Sequence, residues 1–128
     1  MPDVLMLVDD FMLDQLPNGS PKAGTVEDEL QELVAKFMSC TANDGSAVNL
    51  GAGDVDTTVI VVGMSRGASI KVIVTAHDHH LHRLENMPER LTAIKDAIRS
   101  WWEDSPEGLP YVSVRYQPIK SEYWVYDE

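Results

Sequence analysis

Two runs of β-branched residues constrain this chain more than any other feature. Residues 57–64 read TTVIVVGM and residues 69–76 read SIKVIVTA. Valine, isoleucine and threonine have stiff χ1 angles that suit a pleated surface better than a helix. Only SRGA separates the runs, and Gly67 offers turn chemistry. The pattern predicts a β-hairpin over 57–64 and 69–76. Such a hairpin needs another layer to cover at least one apolar face.

Helical periodicity supplies that layer. Thr25 is a good N-cap, with Asp28 three positions later in an approximate capping box. Glu27, Asp28 and Glu29 favour the positive end of a helix dipole. Val26, Leu30, Leu33, Val34 and Phe37 then form a stripe of helical period that fades near Ser39. A later helix opens at Pro88, tolerated at the first helical position, and carries Leu91, Ile94, Ala97, Ile98 and Trp101 on one face. Residues 3–16 read as a further helix, with Val4, Val8, Phe11, Met12 and Leu16 on a broad apolar face and Asp3, Asp10 and Asp14 on the opposite ridge. A buried strand at VLMLV competes with that reading, because a short apolar run fits either period. LPNGSPKAG, residues 16–24, ends the element.

The tail adds two strand candidates, YVSVRY and EYWVY, joined by QPIKS, with Pro118 in the connection. The order is helix, helix, hairpin, helix, hairpin. The expected fold is a single α+β domain over residues 1–128, an antiparallel sheet of about four strands in two hairpins, with about three helices mainly on one face. A chain of 128 residues can hide ~65–70% of its unfolded surface, so this core needs no staples. The one cysteine, Cys40, excludes an internal disulfide and a Cys-based zinc site.

Charge is uneven. The net charge is −11, of which residues 1–64 carry −9 (eleven acids, two bases) and residues 65–128 carry −2 (ten acids, eight bases). Such a balance disfavours direct contact with a phosphate backbone. It suits a basic protein surface, with Asp10, Asp14, Glu27 and Asp28 as the contact acids, or it serves solubility. The N-terminus has no positive leader and acids interrupt its apolar run, so neither a signal peptide nor a membrane span is expected. The expected location is the host-cell cytoplasm, or a particle assembled there.

AHDHHLH, residues 76–82, holds all four histidines of the chain. Neutral imidazoles are common transition-metal ligands. The segment follows an apolar strand and resembles the H-x-H-x-D-H signature of the metallo-β-lactamase superfamily, with His77, His79 and His82 at the histidine positions. That resemblance implies a metal held by His77, His79 and His82. Leu81 stands where the pattern has aspartate, and no histidine remains elsewhere to complete the site. His77-Asp78 likewise lacks the remote histidine of an HD phosphohydrolase. The expectation is therefore a polar strand-to-helix turn with no cofactor beyond an adventitious or structural divalent metal. Protonation of these imidazoles at about pH 6–7 would make the turn a pH-sensitive contact.

Other catalytic patterns are incomplete. GAGD, residues 51–54, lacks the lysine and the helix of a phosphate loop, and the polar stretch 41–56 reads as a loop or hairpin. GMSRG places Ser65 between Gly63 and Gly67, but a nucleophile elbow needs a helix to follow. No catalytic residue is assigned. Seven of the nine aromatics fall in the last 28 residues. Trp102 lies a hundred degrees round from the core stripe, and Tyr123, Trp124 and Tyr126 make both faces of the last strand bulky. These four are candidate interface anchors.

The element order resembles that of phage tail-terminator or head–tail joining proteins. The resemblance implies a non-enzymatic, homo-oligomeric ring subunit in virion assembly, with loops 41–56 and 76–87 touching adjoining rings. An acidic inhibitor or immunity-type protein, and a small metal-dependent hydrolase using the histidine cluster, are the alternative functions.

Overall fold

A computed structural model of the chain describes residues 2–17, 25–41, 47–62, 69–77, 86–105 and 108–119. Its first element is β1, Asp3–Asp9, followed at once by a short helix α1, Asp10–Asp14. The strand reading of VLMLV therefore wins over the helix expected for 3–16. Val4, Met6 and Val8 are buried and alternate with the half-buried Leu5 and Leu7. A strand hydrogen-bonded on both sides and apolar on both faces reads as a continuous run, which is why helical spacing also fitted it. Asp9 ends the strand and caps α1, its Oδ1 accepting from the Phe11 N–H at 2.8 Å.

Helix α2, Val26–Met38, begins as its capping residue predicts, with Thr25 Oγ1 accepting from the Asp28 N–H at 3.0 Å. It buries Leu30, Leu33, Val34, Ala35 and Met38. A two-stranded ribbon follows, β2 (Cys40–Thr41) with β3 (Ala47–Val48), in keeping with the hairpin reading of 41–56. GAGD forms a 3₁₀ turn over Ala52–Asp54, where Asp54 Oδ2 accepts from the Gly51 N–H at 2.8 Å. Its carboxylate satisfies the loop's own donor, the opposite of a phosphate cradle.

The main sheet holds β4 (Asp56–Val62), β1, β5 (Ser69–His77) and β6 (Tyr111–Ile119), in that spatial order. The two β-branched runs do form strands, but they do not pair: β1 lies between them, parallel to β4 and antiparallel to β5. The cause is the crossover through α2, which returns the chain parallel to β1 and sets β4 on its far side. Helix α3, Met87–Ser100, makes the second crossover and sets β6 parallel to β5. Two β-α-β units thus meet at an antiparallel seam where Met6 faces Val72. The sheet is mixed, where an antiparallel one was expected.

Both helices lie on one face, as expected, and pack on each other. The core joins Val4, Met6 and Val8 of β1 with Ile70, Val72 and Val74 of β5 beneath Leu30, Val34, Ile94 and Ile98. Pro118 lies inside β6, opposite Ala76, and not in a connection. Among the described residues β6 is an edge strand, where a missing N–H is tolerated. The expected second strand of that hairpin, EYWVY, lies outside the described residues.

Candidate functional site: the open face of the sheet

Strand register fixes which side chains share the face of the sheet opposite α2 and α3, free of helices among the described residues. One row across the sheet is Asp56, Asp3, Thr75 and Gln117. The next is Thr58, Leu5, Ile73 and Arg115, and the third is Ile60, Leu7, Lys71 and Ser113. Leu5, Leu7, Ile60 and Ile73 form a continuous apolar strip through the middle. Leu5, Leu7 and Ile73 are half-buried, and Ile60 is 44% exposed. Acids border the strip on the β4–β1 side, and Lys71 and Arg115 border it on the β5–β6 side.

The first two rows enclose a depression of about 520 Å³, lined by Asp3, Leu5, Asp56, Thr58, Thr75 and Gln117 among others. Asp3 and Asp56 are register partners on parallel strands, so two carboxylates stand together at its rim. Hydroxyl and amide groups complete that rim above an apolar floor. This set can bind and orient a partner. Among the described residues that line it there is no histidine, cysteine or lysine.

The residues singled out from sequence fall elsewhere. His77 closes β5 opposite Ile119, and His79, His80 and His82 lie outside the described residues. Among the described residues no group of three or more His, Cys, Asp or Glu is placed to hold a metal. Asp10 and Asp14 are exposed on α1, and Glu27 and Asp28 are exposed in the first turn of α2. Because α2 runs back along the sheet, all four stand near the end where β1 stops. Tyr123, Trp124 and Tyr126 lie outside the described residues.

Trp102 is corrected outright. It is fully buried, and its Nε1–H donates to the Met12 carbonyl at 2.8 Å. It therefore anchors the core and not a partner. The helix tightens after Ser100, where Trp101, Trp102 and Glu103 each donate three residues back, so each step turns the chain farther than an α-helical wheel assumes. Trp101 and Trp102 lie with ring centroids 6.0 Å apart.

The apolar strip was missed because Leu5 and Leu7 were assigned to a helix and Ile60 and Ile73 to a hairpin. The available signal was the run of apolar residues at both parities in VLMLV and TVIVV, which gives a strand a second apolar face.

No family model and no curated protein matches the chain. Its fold is similar to the crystal structure of a macrophage migration inhibitory factor-like protein from Entamoeba histolytica, at 12% identity and a TM-score of 0.48, covering 98% of this chain and 95% of that one. This likeness points away from a phage-like tail terminator and a viral assembly component, and those expectations are corrected. The expectation of a protein without enzymatic activity is corrected with it. At this level of similarity the likeness assigns neither activity nor partner to this chain. No helix among the described residues is long and apolar enough to cross a membrane.

Proposed function

We propose that this chain is a subunit of a homo-oligomer and that the helix-free face of its sheet is the contact surface. The apolar strip of Leu5, Leu7, Ile60 and Ile73 carries the reading. Single exposed apolar residues are ordinary, but a contiguous strip rimmed by charge marks an interaction surface. Two sheets pack face to face about 10 Å apart with strands nearly aligned. A two-fold axis along the strands then sets Leu5 over Ile73 of the second copy. The same operation sets the Asp3 and Asp56 row over the uncharged Thr75 and Gln117, and Thr58 over Arg115. Acids of one copy thus avoid acids of the other and bases avoid bases, while Leu7 lies over the aliphatic stem of Lys71.

Replacing Leu5 and Ile73 together by lysine tests this. Both positions are half-buried, so the fold tolerates longer polar side chains there. The oligomer is expected to lose mass in sedimentation while the helical circular dichroism stays unchanged. An unchanged mass for the folded variant overturns the reading.

A further inference from the structure

Strand β4 lies at the end of the sheet order, and among the described residues it pairs with β1 alone. Its seven residues, DTTVIVV, carry one acid and no lysine, proline or glycine. They pair with β1 in seven consecutive register positions, with no bulge. Ile60 and Val61 are 44% and 49% exposed, and as neighbours in a strand they point to opposite faces. Exposed edges of monomeric proteins are normally blunted by charge, proline, bulges or shortness. β4 has none of these beyond Asp56 at its start.

The geometry points to β4 of a second copy as the occupant of this edge, paired antiparallel about a two-fold axis through Val59, so that two four-stranded sheets join into one. Identical strands related by a two-fold axis normal to the sheet are antiparallel, and full overlap of residues 56–62 centres on residue 59. Thr57 then faces Val61, Thr58 faces Ile60, and Asp56 faces Val62. The single charge sits about six residues, or ~20 Å, from its own copy. A parallel in-register pairing would instead set Asp56 beside Asp56, where like charges repel. Pairing also covers Ile60 and Val61 and satisfies the outward N–H and C=O groups of the edge.

This inference rests on the homo-oligomer reading but uses a different surface.

Cysteine pairing tests the register. In a Cys40→Ser background, Thr57→Cys protein mixed with Val61→Cys protein is expected to form a disulfide-linked dimer under mild oxidation. Directly opposed residues lie about 4.5–5.5 Å apart in Cα, within disulfide reach. Val59→Cys alone is expected to crosslink to itself. Val61→Cys alone is expected to stay uncrosslinked, since a stagger of four residues separates the thiols by about 13 Å. Absence of both the mixed and the Val59 crosslinks overturns β4 pairing. If the mass then still exceeds a monomer's, the open-face reading survives; a monomer at every concentration overturns both. Equal crosslinking at all positions also overturns the register.

Discussion

Trp102 donates its indole N–H to the main-chain oxygen of Met12, 2.8 Å away and 90 residues distant in sequence. The bond ties the end of α3 to α1 and gives a carbonyl of the short helix a second donor beside the Gln15 N–H. Trp102→Phe is predicted to cost about 0.5–1.5 kcal/mol, the net worth of one hydrogen bond, because the Met12 oxygen still accepts from the Gln15 N–H at 3.1 Å. Trp102→Ala adds a cavity and is predicted to cost about 3–5 kcal/mol. Urea unfolding followed by circular dichroism measures both, with the midpoint falling and the slope unchanged.

Arg90 holds the two β-α-β units together from the side. From α3 its Nη1 donates to the carbonyl oxygens of Phe37, at 2.7 Å, and Ser39, while its Nε donates to Asn86 Oδ1 at 2.7 Å. A fixed cation at the C-terminus of α2 also complements the helix dipole. Arg90→Met keeps much of the stem and removes the donors, and is predicted to cost about 1.5–3 kcal/mol. Arg90→Lys is predicted to recover only part of that loss, because one ammonium cannot reproduce the fork of the guanidinium. Thermal unfolding of the three proteins gives the order.

Helix starts offer a smaller test. Thr25→Ala removes the acceptor for the Asp28 N–H, and Asp9→Ala removes the acceptor for the Phe11 N–H. Each is predicted to cost about 1 kcal/mol. Thr25→Ser is predicted to be nearly neutral. Hydrogen exchange at the two amides reads the local effect, with faster exchange in the alanine variants alone.

Local structure was legible in the sequence, while strand order was not. The stripe from Val26 to Phe37 and its Thr25 cap marked α2 closely, because capping and helical period are local signals. The runs at 57–64 and 69–76 marked two strands for the same reason. Their pairing was misread because a short gap favours a hairpin locally, whereas β1, more than 45 positions upstream of β4, takes the place between them. No local pattern encodes such a non-local pairing. β1 itself was ambiguous because a strand apolar on both faces has no clear period. The open-face strip could not be assembled before Leu5, Ile60 and Ile73 were known to sit on adjacent strands. Trp102 was misplaced by about one side of a helix, since the tightening after Ser100 is not visible in residue types.

The histidines at 77, 79, 80 and 82 have no fifth histidine elsewhere to complete a multi-ligand site. We predict that protein purified without a histidine tag carries no stoichiometric metal, and that chelator leaves its unfolding temperature unchanged. Elemental analysis and a thermal scan check this, and a drop of several degrees with chelator would show a structural metal.

Sedimentation velocity of the wild-type chain beside the Leu5→Lys/Ile73→Lys variant tests the central claim most directly. Over micromolar concentrations the wild type is predicted to run as a multiple of the 14.2 kDa chain, and the variant as a smaller species of unchanged secondary structure. A wild type that sediments as a 14.2 kDa monomer throughout, or a folded variant that keeps the full wild-type mass, contradicts it.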